Sequence, residues 1–425
     1  MHLRRLWLRD FRSYEELELD FAPGLTVVVG ENGTGKTNLL EAAGFLSTLA
    51  SFRGTPTEAM IRNGAERANI RGEVLVGERK VLLETEFSRS ARTRVLVNKQ
   101  ALPKTAALRE VLRISVFSPD DLVLIKGGPS ERRHYLDDVL ASLHPRNAAC
   151  LADLDKILRQ RNALLKQAGG RLSAEIGFTL DVWDDKLASV GSMVGSLRSG
   201  LLEALRPAIS EAYADIADRP AQIGVKYETS WINTGLSDAL EQGRSDDVRR
   251  GLSLVGPHRD DVALLIEGRP SRTQASQGEQ RTLALALRLA AHRHIAVSTG
   301  SPPLLLLDDV FSELDPIRSD ALVRHLPPGQ SLLATAGVIP RAAEVQARVF
   351  VSRLGMVSEA LGFNAVGPTS SPEPMVPYSN RQAGLGAPGF NAVEPRGLGG
   401  EVLSLAGTDS GLTVDNTGEI VDDQL

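Results

Sequence analysis

The stretch TVVVGENGTGKTNLLEA, from Thr26 to Ala42, decides the fold. An apolar run before the first glycine is typical of a buried strand, and the pattern from Asn38 onward is that of a helix. Between them, Gly30–Thr37 fits the phosphate-loop pattern G-x-x-x-x-G-K-[ST] in full. Because strand, loop and helix are in register, the sequence predicts a nucleoside triphosphate site rather than a chance glycine-rich turn.

Each position of this loop has an expected contact with the nucleotide. Glycines let backbone N–H groups surround phosphate oxygens, and the N-terminus of the following helix adds a favourable dipole. Lys36 would reach the β- and γ-phosphates and assist catalysis, while the Thr37 hydroxyl would bind Mg²⁺. The predicted cofactors are therefore ATP and Mg²⁺, and the predicted cradle is Gly30, Glu31, Asn32, Gly33, Thr34, Gly35, Lys36 and Thr37.

A second acidic motif, LLLLDD, runs from Leu304 to Asp309. A buried strand would deliver two carboxylates at its carboxyl end, which is the edge where open α/β sheets place their ligands. We expect Asp308 to hold Mg²⁺ and Asp309 to orient or deprotonate the attacking water. Alone, the motif could be a strand that leaves the core, but the phosphate loop favours the catalytic interpretation.

The segments around these motifs alternate between strand and helix patterns. Leu3–Phe11 and Leu17–Phe21 alternate apolar and polar residues, which predicts half-buried strands, and similar stretches between Ile70 and Val97 predict antiparallel strands. The apolar run Ser331–Ala336 is expected to join the buried sheet. The two halves of this α/β region are separated by a helical region.

Three helices are predicted in that region, over about 130–144, 151–165 and 187–205. Ser130 is the predicted N-cap of the first. Apolar residues of the third recur every three or four positions and form a seam for packing against a neighbouring helix. Pro207 is expected to kink this helix, and Asp218-Arg219-Pro220 to end it.

The C-terminal 64 residues have a different composition, with 11 Gly, 6 Pro and a net charge of −6. This composition predicts a disordered acidic tail. The segments GFNAVGP and GFNAVEP recur in it, at Gly362 and Gly389, as short motifs or as a spacer. Without the tail the chain is nearly neutral, so net charge neither supports nor excludes nucleic acid as a partner.

Localisation follows from features that the sequence lacks. Cys150 is the one cysteine, which excludes an intramolecular disulfide and suits a reducing compartment. Charged residues interrupt the first fourteen positions, so no signal-peptide core is visible, and no apolar run approaches membrane-spanning length. A soluble, cytoplasmic protein is expected, with no membrane partner.

Two further motifs narrow the class of ATPase. SQGEQ, from Ser276 to Gln280, starts an amphipathic helix and resembles the signature motif of ABC ATPases, while SELD, from Ser312 to Asp315, resembles their D-loop. The resemblance implies that Ser276, Gly278 and Asp315 contact the nucleotide held by the other subunit of a dimer. Helix N-termini suit phosphate binding, although Ser276 could also be a simple N-cap.

The chain as a whole resembles the RecF family. The resemblance is carried by LRDFRSYEELELDFAPGLTVVVGENGTGKTNLLEA from Leu8, SFRG from Ser51, FSPDDLVLIKGGPSERRHYLD from Phe117, GPHRDD from Gly256 and ASQGEQRTLALALRLA from Ala275. It implies an SMC-like ABC head that forms an ATP-dependent homodimer on single-stranded or gapped duplex DNA. Such proteins act with RecO and RecR in recombinational repair and aid RecA loading. It also implies that Arg12 approaches the phosphates, the alternative being a surface arginine after an edge strand.

The predicted fold class is thus α/β, an ABC-type P-loop ATPase head with an antiparallel β subdomain, an inserted helical lobe and a disordered tail. The predicted units are residues 1–117 and 225–361 for the two halves of the head, 118–224 for the lobe and 362–425 for the tail. His258, within GPHRDD, is expected to be structural or to contact the lobe, and not to be catalytic.

Two departures from the family pattern bear on activity. Glu279 stands where RecF proteins usually have Gln, which adds a negative charge near a phosphate site. Thr335 and its neighbours stand where many ABC ATPases have a histidine, and a hydroxyl cannot carry protons as imidazole does. A weak, DNA-stimulated ATPase is therefore expected, with nucleotide used mainly as an assembly switch.

The chief alternative is the ATPase subunit of a membrane transporter. Lys36 and Ser276 are 240 residues apart, and transporter subunits carry a much shorter insert between these motifs. A binding scaffold that needs bound ATP but little hydrolysis is a third possibility. For DNA, we expect salt-dependent binding through local arginine clusters, with Arg89, Arg92, Arg94, Arg132 and Arg133 as candidates.

Overall fold

The computed structural model describes residues 1–102, 107–217, 219–337, 339–352 and 357–361. The predicted disordered tail, 362–425, lies outside the described residues. The strands, in chain order, are β1 (His2–Phe11), β2 (Tyr14–Asp20), β3 (Leu25–Val29), β4 (Arg67–Val76), β5 (Arg79–Ser88), β6 (Arg94–Val97), β7 (Gln100–Ala101), β8 (Ile114–Phe117), β9 (Ile223–Glu228), β10 (Asp261–Ile266), β11 (Arg269–Pro270), β12 (Leu304–Asp308), β13 (Ser331–Thr335), β14 (Val345–Val351) and β15 (Val357–Leu361).

The helices alternate with these strands, and short 3₁₀ turns lie at Thr57–Met60, Pro119–Leu122 and Val310–Glu313. The α-helices, in chain order, are α1 (Lys36–Thr48), α2 (Leu108–Val111), α3 (Val123–Lys126), α4 (Pro129–Leu143), α5 (Pro145–Ala168), α6 (Ala174–Ala217), α7 (Leu236–Arg250), α8 (Ser271–Gln274), α9 (Gln277–Thr299) and α10 (Pro316–Arg324).

The central sheet has the order β15-β14-β3-β13-β12-β8 and is parallel except for β15. Its inner strands are apolar along their whole length because both faces are covered. Leu304 and Leu306 pack with α1 and the N-terminal strands, whereas Leu305 and Leu307 pack with α9. The sheet therefore separates two cores, and its carboxyl edge carries the phosphate loop and Asp308.

The N-terminal strands form an antiparallel sheet of order β2-β1-β4-β5-β6-β7, as predicted. Their alternating residues bury one face against α1, where Phe45 and Phe87 pack with ring centroids 5.0 Å apart. This sheet holds α1 from the side opposite the central sheet. The phosphate-loop helix is thus fixed between two sheets.

Helices α4, α5 and α6 lie within the predicted lobe, 118–224, and the small sheet β11-β10-β9, most of which follows residue 224, packs with them; the name helical lobe covers both below. The predicted seam is confirmed, since Leu187 and Val194 of α6 pack against Leu154 and Ile157 of α5. The third predicted helix, α6, runs 44 residues through Pro207 and ends at Ala217, next to the predicted stop. The predicted N-cap Ser130 is wrong, because α4 starts one residue earlier at Pro129 with Gly128 as its cap.

The region after Val225 differs from the sequence prediction. Two strands were expected around GPHRDD, but only Asp261–Ile266 forms one. Ser253, in the other run, donates its backbone N–H to Asn162 Oδ1 at 2.7 Å instead of to a neighbouring strand. Helix α7, which the sequence did not predict, packs Leu236 and Leu240 into the same core as α5 and α6.

Candidate functional site

The phosphate loop connects β3 to α1 in a conformation that requires glycine. Gly33 and Gly35 have φ values of +81° and +111°, where side chains are strained. A Cβ on Gly35 would also lie 2.6 Å from Ser13 Oγ. Tyr14 donates its hydroxyl to Gly35 O at 3.0 Å, so the β1–β2 turn supports the loop from behind.

Lys36 lies folded over this loop. Its Nζ donates to Gly30 O at 2.9 Å and to Glu31 O at 2.7 Å, and the side chain is nearly buried. Burial lowers the pKa of Lys36, while Asp309 and Asp308 oppose the shift. The ammonium group is therefore held at the loop mouth, next to backbone oxygens that hydrogen-bond it.

Thr37 and Asp308 meet across the carboxyl edge of the sheet, at the point where the sequence predicted a magnesium site. The Thr37 hydroxyl donates to Asp308 Oδ1 at 2.7 Å. Burial raises the pKa of Asp308, and the hydrogen bond from Thr37 opposes that shift. Both oxygens are hard donors, as Mg²⁺ prefers, and their spacing suits two adjacent ligands of one ion, so the pair fits the metal.

Asp309, the predicted catalytic carboxylate, follows in a left-handed conformation with φ of +48°. Its backbone N–H donates to Ala334 O at 2.9 Å, and Ser312 Oγ donates to its carbonyl at 2.8 Å. These bonds fix the turn that separates β12 from the D-loop segment. The neighbouring Thr335, at the predicted switch position, ends β13 and accepts from Gly337 N at 3.0 Å.

Arg12 forms an ion pair with Glu41, which the sequence did not single out. Its Nε and Nη2 each donate to the Glu41 carboxylate at 2.8 Å, and Glu41 is fully buried on α1. Ser51 donates to the same carboxylate. A glutamate inside the apolar run NLLEAAGFL was the available signal, since a buried carboxylate requires partners. The predicted contact of Arg12 with phosphates stays a prediction.

The signature and D-loop residues occupy helix starts. Ser276 caps α9, accepting from Glu279 N at 3.3 Å, and Asp315 caps α10, accepting from Arg318 N at 3.0 Å. Gly278 lies against Arg318, whose Nη1 would be 2.7 Å from a Cβ there. The structure therefore brings Asp308 to the phosphate loop, while Ser276 and Asp315 form their hydrogen bonds within their own helix starts.

The arginine candidates for DNA divide into two groups. Arg132 is largely buried in a two-bond ion pair with Asp261 at 2.7 and 3.0 Å, so this DNA candidate is wrong. Arg133 donates to Asp260 O at 2.7 Å within the lobe. The other candidates, Arg89, Arg92 and Arg94, are exposed at the β5–β6 hairpin.

The GPHRDD segment is hydrogen-bonded to neighbouring parts of the chain, and the structural role expected of His258 stays a prediction. His258 Nε2 lies 3.0 Å from Ser253 O, and burial lowers the pKa of His258 to about 4. Asp260 accepts from Tyr227 at 2.7 Å and from Trp231 at 3.0 Å. Arg198 of α6 also donates to Pro257 O at 2.6 Å, so the segment connects β9 and β10 to α4 and α6.

Comparisons with known proteins agree with this architecture. Residues 2–331 match the family model described as the RecF/RecN/SMC N terminal domain. The DNA replication and repair protein RecF of Frankia alni is 41% identical over 356 residues, covering 80% of this chain and 94% of that protein. RecF of Streptomyces avermitilis is 40% identical over 353 residues, with the same shares covered.

Solved structures give the same result. The recombination mediator protein RecF-ATP in the RecFOR pathway superposes with a TM-score of 0.77 at 29% identity, covering 84% of this chain and 97% of that one. A Smc head domain from Pyrococcus furiosus has a TM-score of 0.52 at 17% identity, covering 85% and 96%, which shows the shared fold alone. No helix within the described ranges has the length and apolar character needed to cross a membrane. By its sequence and its fold, the chain belongs to the RecF/RecN/SMC family, as one of its RecF proteins of DNA replication and repair.

Proposed function

We propose that this protein binds ATP with Mg²⁺ and uses the bound nucleotide to dimerise on DNA. The observation that carries the proposal is the contact between Thr37 and Asp308 beside the nearly buried Lys36. It joins a phosphate cradle after β3 to a carboxylate from β12, two strands away in the central sheet, as Mg²⁺-ATP requires. Asp309 would orient the attacking water.

The second half of the nucleotide site would come from another copy of the chain. Ser276 and Gly278 start a 23-residue helix, and helix N-termini are suited to anions. In a two-fold dimer each start would face the phosphate loop of the partner, with Asp315 close by. Bound ATP would then hold the two heads together, and its hydrolysis would allow them to separate.

The proposed place of action is gapped or single-stranded DNA during recombinational repair in the cytoplasm, with RecO and RecR as partners and RecA loading as the outcome. The support is the identity with proteins called DNA replication and repair protein RecF and the structural likeness to RecF of the RecFOR pathway. Turnover would be slow and stimulated by DNA, since Thr335 supplies a hydroxyl where an imidazole would carry protons.

The transporter alternative is not favoured, because the matches to RecF cover 80% of the chain, and the matched family model spans residues 2–331, which include the long segment between Lys36 and Ser276. A scaffold that binds ATP without turnover is the remaining rival. Comparing ATPase rates with and without gapped DNA separates the two, since a scaffold gives the same low rate in both.

A DNA-binding assay tests the proposal. Fluorescence anisotropy on gapped duplex should show tighter binding with ATP than with ADP, and affinity should fall steeply as salt rises. Replacing Arg89, Arg92 and Arg94 by Ala should make the salt dependence shallower, whereas Arg249→Ala, in an exposed ion pair on α7, should not. If the affinity for DNA changes with neither the nucleotide nor the salt concentration, the proposal is contradicted.

A further inference from the structure

The start of α9 is already hydrogen-bonded to an anionic group of the same chain, the carboxylate of Glu279. Glu279 Oε2 accepts from the Ser276 backbone N–H at 2.8 Å and from the Ser276 hydroxyl at 2.9 Å. These are donors that the proposed composite site would offer to the partner's γ-phosphate. In the free chain these donors are therefore already bonded to the Glu279 carboxylate, which completes a capping box at the start of α9.

Two arginines act on this carboxylate. Arg219, just after α6, contacts the other carboxylate oxygen, with Nη2 to Oε1 at 3.2 Å. The charge of Arg269 also stabilises the ionised form of Glu279. The hydrogen bonds from Ser276 lower the pKa of Glu279, and the charge of Arg219 adds to the shift. Glu279 is consequently ionised at neutral pH and competes with any incoming anion as a full negative charge.

We propose that Glu279 is an internal competitor of ATP, whose carboxylate must leave Ser276 before the γ-phosphate held by a second copy can bind there. Arg219 is the positioning residue that holds the displaced carboxylate. The inference rests on the proposed composite site and adds a regulator to it. Because the carboxylate must first be displaced, the ATP-dependent dimer would be weaker than it would be without Glu279. The two copies would therefore separate more easily after ATP hydrolysis.

Glu279→Gln tests the competition with little change of shape. The amide oxygen can still accept from Ser276, but a neutral hydrogen bond is about half as strong as one to a carboxylate, and the repulsion of phosphate disappears. We expect the dissociation constant of the ATPγS-dependent dimer to fall about five-fold. With ADP, which has no γ-phosphate, the variant should behave like the original chain.

The measurement is analytical ultracentrifugation of the full chain with Mg²⁺ and ATPγS or ADP. Glu18→Gln is the matched control, because Glu18 is an exposed, ion-paired residue on β2 and its replacement changes net charge equally. The gain in Glu279→Gln should shrink as salt rises, since screening weakens the removed repulsion. The control should dimerise as the original chain does.

Arg219→Ala tests whether Arg219 holds the displaced carboxylate of Glu279 or binds phosphate directly. In the original background it should weaken the ATPγS-dependent dimer, because the displaced carboxylate loses its partner. Combined with Glu279→Gln it should have no further effect, since no charge remains to be held. An equal loss in both backgrounds would show that Arg219 binds phosphate directly and would overturn its assigned role.

The outcomes also separate this inference from the proposed function. If the original chain and Glu279→Gln dimerise equally well with ATPγS, or if Glu279→Gln dimerises less, the competition is refuted while the composite site stands. If neither chain dimerises with ATPγS, the composite site is refuted and the inference with it. Tighter dimers of Glu279→Gln with ATPγS, and no change with ADP, support both the composite site and the competition.

Discussion

At the scale of single residues, Lys36 hydrogen-bonds two carbonyls of the phosphate loop and, in the proposed site, would present its charge to the nucleotide. Lys36→Ala removes two hydrogen bonds to loop carbonyls and a charged phosphate ligand. Since charge-assisted hydrogen bonds contribute about 1.5–3 kcal/mol each, ATP affinity should fall at least about a hundred-fold. Fluorescence titration with a labelled ATP analogue measures this loss.

The control for that experiment is Lys80→Ala, on an exposed lysine of β5. Both variants should keep the thermal unfolding midpoint close to that of the original chain, because neither side chain belongs to a hydrophobic core. Undiminished ATP affinity in Lys36→Ala would place the nucleotide elsewhere.

Asp308, the proposed metal ligand, is a buried carboxylate whose charge lowers the stability of the fold at neutral pH. Because burial raises its pKa above the unfolded value, protonation favours the folded state, and stability is lost as pH rises through the folded pKa. Asp308→Asn removes the buried charge and can keep the bond from Thr37. We expect a higher unfolding temperature at neutral pH, with a gain that shrinks under acid as the original carboxyl becomes protonated.

The same substitution should lower Mg²⁺-dependent ATP hydrolysis by about a hundred-fold or more, since a metal ligand supplies several kcal/mol of charge stabilisation. Calorimetric unfolding curves between acid and neutral pH, together with ATPase rates over a range of Mg²⁺, provide the measurements. A loss of stability at neutral pH would contradict the assigned cost of burying this carboxylate.

At the scale of elements, a buried charge network holds the helical lobe together. Arg161 of α5, fully buried, contacts Asp184 of α6 at 2.6 Å and Asp247 of α7 at 2.7 Å. Arg161→Ala leaves two carboxylates without this partner in the interior, which should destabilise the lobe by about 3–5 kcal/mol. Urea unfolding measures this free energy.

Arg249→Ala is the comparison, because its ion pair with Asp246 is exposed and should contribute no more than about 1 kcal/mol. Similar losses in the two variants would show that the buried network does not stabilise the lobe more than an exposed pair does.

Periodicity explains which elements the sequence could predict. The strands β3, β12 and β13 and the seam of α6 have continuous or regularly spaced apolar residues, so they were predicted. Helix α7 was missed because its sequence, LSDALEQGRSDDVRR, is highly charged and buries few apolar side chains. Its formation depends on partners distant in sequence, of which Arg161 is one, and periodicity does not encode them.

The same limit applies to the site. The phosphate loop and Asp308 follow from local motifs, and their meeting follows from the rule that parallel strands end at one edge. The pair of Arg12 and Glu41 joins residues 29 positions apart without a spacing pattern. Such contacts follow from how α1 lies against the β1–β2 turn, and only the fold reveals them.

At the scale of the whole molecule, the proposed dimer can be tested by symmetry. Each ATP would lie between the phosphate loop of one copy and the start of α9 of the other. Lys36→Ala damages the first surface, and Ser276→Arg damages the second. A homodimer of either variant contains two defective sites, so each protein alone should be inactive.

A mixed dimer differs, because one of its sites combines both lesions while the other pairs an intact Lys36 with an intact Ser276. Mixing the two inactive proteins should therefore restore part of the ATPase activity, provided that dimers exchange. If the two sites must act together, activity stays absent, but ATP-dependent heterodimers should still form in a sedimentation experiment. Folded variants that yield neither activity nor heterodimers would show that Ser276 only caps its helix, and that the nucleotide site belongs to a single chain.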